Sequence, residues 1–562
     1  MDRAEAVIPA QGTRAAATAK TREAEHAAPG HRFRNPGARL DPYLLAFVFF
    51  VAYALLSVTR YRRMLTMSWD LGIFEQAIKS YAHLQAPVAD LKGPGFNILG
   101  DHFSPITALI APFYRVFPTP VTLLIAQAVL FAAAVIPITR VSAYLLGRGR
   151  GLAIGAAYGL SWGVQKAVEF DFHEIAFAMP LLAFSLEAVL RKRWAAAMWW
   201  AVPLIFVKED MGITAAAIGV IVWWRVRQET DLEPEAESAP GQEPAPVLAP
   251  GGEPEPSAVP RQNGAGEFNG HVDRADHADE DTGDETADSE RDGRIGAGVE
   301  RISDALRYGP WAIGLVSFGV AASALAFAVI IPAFNNAGGY DYWNKLNGDG
   351  APMPGHIPFG TAFHTLLWIL LPTSGLLALR SPLIMAALPT IGWRFVSHDD
   401  HYWGTDWHYS AVLMPVVFLA LVDAADRSRS SRMPWLRSYA SGAPAAVAGA
   451  SLALTLTLPL ASLDQGSTYE VDAHTKAVEK LLDEIPDGAT VEANVGPISR
   501  LVHRTTVYWV GDTPGVTPDY IALDNSTGWV PDPAQYAVQL HPAATYQVIA
   551  NSEGYVILHR TS

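Results

Sequence analysis

The run S-W-D-L-G-I-F-E-Q-A-I, beginning at Ser68, sets Asp70 and Glu75 among apolar neighbours just beyond the first long hydrophobic stretch. The passage after it carries Asp90, Asp101 and His102. Later hydrophobic stretches end in E-F-D-F-H-E (Glu169–Glu174), K-E-D (Lys208–Asp210) and H-D-D-H-Y-W-G-T-D-W-H (His398–His408). Ionisable groups at membrane depth cost several kcal/mol unless paired or wet, so their gathering at the ends of apolar stretches points to a site. A carboxylate that takes a hydroxyl proton, with a cation that steadies a departing phosphate, is what a glycosyl transfer needs. Asp70 suits the first role. Lys208, Arg394, His102 or a divalent cation suits the second.

Several local alternatives stay open. Asp70, Asp171 and Glu174 could hold a hard cation such as Mg²⁺ or Mn²⁺ through oxygen ligands. The 398–408 loop, with His401 and His408, has side chains suited to zinc or manganese, but its spacing matches no closed structural-zinc pattern. If 169–173 is extended, Glu169, Asp171 and His173 share a face; if helical, Phe170 and His173 are neighbours. Tyr402, Trp403, Trp407 and Tyr409 could stack on a sugar, although Trp and Tyr concentrate at membrane interfaces and that is the favoured expectation.

The chain that must position these groups has 562 residues, half of them hydrophobic, with mean hydropathy +0.15. That is too apolar for an ordinary soluble chain and long enough for many membrane spans. Cysteine is absent, which removes disulfides, thiolate nucleophiles and Cys-ligated metals. The net charge of −15 is local: residues 229–300 hold 20 acidic side chains against four arginines, a net −16, leaving about +1 elsewhere. No basic patch for nucleic acid is evident.

Residues 1–41, rich in Ala, Thr and Arg, read as a disordered cytoplasmic tail rather than a signal peptide. An N-terminal membrane module follows over 42–228, with a first outer loop at 60–119. Pro105–Phe117 is short and bracketed by prolines, so it is expected to lie flat at the interface. Spans are then expected at 42–59, 120–146, 151–168, 175–190, 194–207, 211–224, 310–334, 361–379, 381–396, 410–424 and 442–463. This eleven-span scheme puts the short arginine loops on the cytoplasmic side and every Asp/His loop outside, as the positive-inside tendency prefers. Arg60, Arg62 and Arg63 run against it, and 194–207 and 211–224 are short for a ~30 Å core.

Residues 229–300 are expected to be a disordered acidic linker, because they lack the large apolar side chains that offset ordering entropy. Membrane helices resume over 301–463. From 464 to 562 the pattern becomes that of a small extracytoplasmic α/β domain, with helices at 473–484 and 532–539 and strands at 490–493, 505–509, 520–523, 546–550 and 555–559. The fold class expected is thus an all-α polytopic membrane protein with a small C-terminal α/β domain.

The runs W-D-L-G-I-F-E-Q (69–76), G-D-H-F-S-P (100–105), F-D-F-H-E (170–174), K-E-D (208–210) and W-H-Y-S (407–410) resemble a polytopic membrane family of bacteria and archaea known only as a domain of unknown function. That family in turn resembles the GT-C glycosyltransferases, which use polyprenyl-phosphate-linked sugars and carry a catalytic acid in the first outer loop. The resemblance implies Asp70 as base and a multi-pass protein of the cell membrane. Asp171, His173, Glu174, Asp101 and His102 would bind acceptor or metal; Lys208 and Arg394 would hold the donor phosphate. Glu209, Asp210, His401, His408 and Tyr409 are further outer-loop candidates. The partners implied are the lipid bilayer, the lipid-linked sugar and an extracytoplasmic glycan, lipid or protein acceptor. W-D-L departs from the paired acids that some of those enzymes carry in the first loop. Two other classes remain open on the residues alone: a transporter or lipid flippase, and a non-catalytic membrane scaffold.

Overall fold

The computed structural model describes residues 36–230, 306–336, Tyr340, Tyr342, Lys345 and 355–562. The acidic linker beyond Thr230 and the tail before Pro36 lie outside the described residues; residues 36–41, expected in the tail, instead open the first helix. The chain divides into two units, Met1–Val222 with Ala312–Ser562, and Trp223–Trp311. The described parts of the second unit, 223–230 and 306–311, are helical.

The helices in chain order are α1 (Pro36–Arg62), α2 (Trp69–Ala82), α3 (Ala111–Val116), α4 (Pro120–Leu146), α5 (Arg148–Gly159), α6 (Trp162–Phe170), α7 (Ala178–Leu190), α8 (Trp194–Ala201), α9 (Met211–Thr230) and α10 (Leu306–Phe334). Then come α11 (Phe359–Ser374), α12 (Leu388–Val396), α13 (Leu413–Ser428), α14 (Pro434–Thr455), α15 (Ala473–Leu482), α16 (Val495–Leu501) and α17 (Pro533–Leu540). Among the described residues, three helical stretches are long and apolar enough to cross a membrane: Arg39–Arg62, Pro120–Leu146 and Leu306–Phe334. The other expected spans do not reach that length and apolarity in one helix, although 211–224 lies wholly within α9. Residues 151–168 are split at Leu160–Ser161 between α5 and α6. Residues 194–207 and 381–396 each pair a short α-helix with a 3-10 turn at a proline, which cannot donate to the helical ladder. Within 105–117, a 3-10 helix over Pro105–Ile110 runs into α3, which ends at Val116.

The bundle core is built on α4 and α13; α13 is buried along nearly its whole length. Small residues bring backbones together: a Cβ on Gly212 of α9 would lie 2.4 Å from the Gly319 carbonyl oxygen of α10.

The C-terminal sheet contains β1 (Thr490–Ala493), β2 (Thr506–Trp509), β3 (Tyr520–Asp524), β4 (Tyr546–Ser552) and β5 (Tyr555–Arg560), in the order β2-β1-β3-β5-β4. β1 runs parallel to both neighbours, while β5 is antiparallel to β3 and β4. The strands fall where the alternation of the sequence puts them; α16, only seven residues long, is additional. The sheet does not keep a core to itself. Ile73 and Ala77 of α2, with Ala89, Leu91 and Ile98 of the segment that follows it, share one apolar cluster with Val491, Ile498, Val502 and Ile557. Gly72 makes this seam possible, since a Cβ there would meet the Ile498 Cγ2 at 2.4 Å. Trp69 closes its edge against Trp509, ring centroids 4.7 Å apart.

Candidate active site

Asp70 stands in the first turn of α2, and the backbone just before it is held from two sides. Ser68 adopts a left-handed conformation at φ 63°, costly for a residue with a Cβ. Its N–H donates to Asp171 Oδ2 at 2.8 Å, and its hydroxyl pairs with that of Ser499 from α16 at 2.8 Å. Asp171 is itself strained, at φ 137° and ψ −167°, a region that suits glycine. Gln127 of α4 fixes that turn: its Nε2 donates to the Asp171 carbonyl at 2.7 Å, and its Oε1 accepts from His173 N–H at 3.0 Å. The 169–173 segment therefore follows neither of the two regular arrangements. Glu169 turns to Arg60 and Lys166, Asp171 to Ser68, and His173 to the cavity.

That cavity is lined by Asp70, His102, His173, Lys208, Glu209 and Asp210, by Phe327, Tyr340, Tyr342 and Lys345, and by Trp393, Ser397, Tyr402, His408 and Tyr409. Its volume is about 140 Å³, room for several waters or a small polar group. Two buried acids organise its charges. Glu174 lies 2.6 Å from His173 Nδ1 and 3.1 Å from Lys208 Nζ. Glu209 accepts from the Tyr340 hydroxyl at 2.7 Å and from Phe103 N–H at 3.1 Å, and faces His102 Nδ1 at 3.4 Å. His102 Nε2 meets the Tyr342 hydroxyl at 2.9 Å. Lys345 bridges Tyr402, at 3.0 Å from its hydroxyl, and Asp399, at 3.1 Å.

Burial pushes the Asp70 carboxyl up against the pull of His173, with Glu174 adding to the rise and His102 and Lys208 opposing it. For Glu174, burial is outweighed by the cationic surroundings of His173 and Lys208, which hold it well below the carboxylate range. Glu209 is held at about 2: burial opposes this, but the His102 hydrogen bond and charge prevail, with Lys208. Asp210 goes the other way, pushed up to about 6 by burial and the neighbouring Glu209 charge. Lys208 is raised despite its burial, because Glu174, Glu209 and Asp210 stabilise its charge. The cavity therefore combines a carboxylate of raised proton affinity with a fixed ammonium, a pairing able to accept one proton and to stabilise one anion.

Not every expected residue comes here. Asp171 directs its carboxylate to Ser68, and burial pushes it well up. Asp101 pairs with Lys92 at 3.2 Å, behind His102. Arg394 is fully buried and donates to the carbonyls of Tyr402 and Gly404, both at 2.8 Å, and to Ser410 Oγ at 3.2 Å. Its guanidinium is spent on the 402–410 loop. His401 is exposed and pairs with Asp399 at 2.8 Å. Tyr402 and Tyr409, expected at a membrane interface, line the cavity. Tyr340, Tyr342 and Lys345 went unnoticed in the sequence; the interleaving of aromatic residues with lysine in G-G-Y-D-Y-W-N-K was the available signal.

Among solved structures, the chain is similar to the crystal structure of ArnT from Cupriavidus metallidurans bound to undecaprenyl phosphate. The identity is 12%, the TM-score 0.44, and the match covers 91% of this chain and 97% of that one. No curated protein matches the chain. The family described as "Predicted membrane protein (DUF2079)" matches residues 60–347 and 354–557, and the chain belongs to it.

Proposed function

We propose that this membrane protein is an inverting glycosyltransferase that moves a sugar from a polyprenyl-phosphate donor to an extracytoplasmic acceptor, with Asp70 as the base. The observation that carries this is the meeting of Asp70 and Lys208, from loops more than a hundred residues apart, in one cavity with His102, His173 and Lys345. In the reaction, the acceptor oxygen attacks the anomeric carbon while its proton passes to Asp70. The bond from that carbon to the donor phosphate oxygen breaks, and the electron pair leaves on the phosphate. Lys208 and Lys345 meet the charge that develops there. The raised proton affinity of Asp70 makes it a better base than a solvated aspartate. Tyr402 and Tyr409 supply faces on which a sugar ring can stack.

The same convergence favours the one-sided arrangement of eleven membrane segments, N-terminus inside and C-terminal domain outside, because each loop placed outside by charge sends a residue to this cavity or its rim. Asp171 and Arg394 take positioning roles here, the first on α2 and the second on the 402–410 loop. The test is single-turnover transfer from a lipid-linked sugar by purified chain. Asp70→Asn should lower the rate by about 10²–10⁴-fold with unchanged thermal unfolding. Wild-type rates in a folded Asp70→Asn protein would sink the proposal.

A further inference from the structure

The geometry points to a binding site for one divalent transition-metal cation, formed by Asp70, His173 and His408. One ligand atom from each of the three lies within 4.8 Å of the others. At metal–ligand distances of ~2.0–2.2 Å, a side-chain adjustment of about 1 Å would close them on a common centre. The three come from separate parts of the chain, the start of α2, the strained turn after α6 and the loop before α13, so their meeting is a product of the fold.

Two further observations single out this trio. His408 is 3% exposed, yet its Nδ1 has no hydrogen-bond partner among the described residues. Its ring is fixed by stacking on His173, centroids 3.7 Å apart, and by contact with Phe170 and Tyr409. A buried imidazole nitrogen held in place without a partner is a cost that a ligand would remove. His173, for its part, has Nδ1 in ion-pair contact with Glu174 at 2.6 Å, without hydrogen-bond alignment, and Nε2 as its other ring nitrogen. A carboxylate behind a ligating histidine is the usual way a metal site fixes the ring and its tautomer. The trio Asp399, Asp400 and His401 lacks this character, since its members already pair with one another and with Lys345.

Two imidazoles and one carboxylate suit zinc, manganese, cobalt or ferrous ions rather than magnesium or calcium, which prefer all-oxygen shells. The site rests on the proposed function, with which it shares Asp70: ligation through one carboxylate oxygen would leave the other to take the acceptor proton, and the site can be tested without any transfer assay. Full-length protein in detergent, stripped by chelator, is titrated with Co²⁺ and followed by visible absorption and metal analysis. The expected result is about one equivalent per chain, with a ligand-field band displaced by Zn²⁺ and untouched by equal Mg²⁺. The band should vanish in His408→Ala and His173→Ala and persist in His401→Ala. Absence of binding by wild type, or the same stoichiometry and band in His408→Ala, overturns the site. The wild-type Zn²⁺/Mg²⁺ contrast stands even where a variant unfolds: equal displacement by both ions also overturns it. Cobalt bound at this site by a chain that transfers no sugar upholds the site while removing the function. Transfer by a chain that binds no cobalt does the reverse.

Discussion

Two buried imidazole–carboxylate pairs of equal length sit in different parts of this molecule. In the cavity, His173 Nδ1 lies 2.6 Å from Glu174; in the sheet domain, His541 Nε2 lies 2.6 Å from Glu492. Both glutamates are fully buried. Around Glu492 the polar groups are satisfied, its second oxygen accepting from Gly511 N–H at 2.6 Å, and neither it nor His541 lines the cavity described above. Around Glu174 the second oxygen faces Lys208, His173 stacks on His408, and the turn leading to the pair is strained. The lengths match, but only the His541–Glu492 contact is an aligned hydrogen bond; His173 and Glu174 meet as an ion pair without that alignment. What separates the two pairs is the set of groups left facing open space.

The sharpest way to break that comparison is to make the same substitution in both pairs. Glu174→Gln removes the negative charge that holds Lys208 and His173, and the expected fall in transfer rate is about 10²-fold, the order lost when one group of a preorganised electrostatic site is removed. Glu492→Gln keeps an acceptor oxygen for Gly511 and turns an amide NH2 to His541 Nε2, which accepts in its other neutral tautomer, so transfer should be unchanged and stability reduced by about 1 kcal/mol. Rate assays and thermal unfolding on both variants decide it. Equal rate losses would erase the distinction between the two regions.

The seam between the regions offers the next effect. Gly72→Ala would press on Ile498 and Leu91, an overpacking worth about 1–3 kcal/mol. Ile498→Ala alone should cost about 2–5 kcal/mol by leaving a cavity. The double variant should be more stable than the sum of the two, because the new methyl enters the space Ile498 vacated. Strict additivity in denaturation midpoints would mean that α2 and α16 do not pack as described.

Much of this was legible in the sequence, and the reasons are local. The C-terminal strands could be read because alternation along a half-buried strand is a short-range signal, as in Thr490–Ala493. Asp70 and the K-E-D motif could be read because charge beside apolar runs is conspicuous. The membrane helices were harder: hydropathy reports an apolar stretch but not where a proline or a 3-10 turn divides it, as at Pro382–Ala387 before α12. Hardest were the side-chain directions. Asp171 and His173 are two residues apart, and only the φ of 137° at Asp171 decides that one caps α2 while the other enters the cavity. Nothing in F-D-F-H-E encodes that angle; Gln127, forty-four residues earlier, imposes it.

The smallest effect concerns Glu75, which lies on the same helix as Asp70 but has no access to the cavity. It is fully buried, accepts from the Tyr114 hydroxyl at 2.8 Å, and its other oxygen has no partner among the described residues. Burial pushes its carboxyl up to about 8 from an ordinary 4.5, partly opposed by the Tyr114 hydrogen bond and Lys79. The folded chain thus binds a proton between those values that the unfolded chain releases. The stability this proton contributes is fully present below the unfolded value and is lost as pH rises from 4.5 through 8, at no more than ~1.4 kcal/mol per pH unit. Glu75→Gln, which mimics the neutral form, should therefore flatten the pH dependence of thermal unfolding, matching wild type near pH 5 and exceeding it at pH 8. Transfer at pH 7 should stay within a few-fold of wild type. A Glu75→Gln protein whose stability falls with pH as steeply as wild type would show that this carboxyl is not the protonated group, and that the quiet side of α2 carries a charge after all.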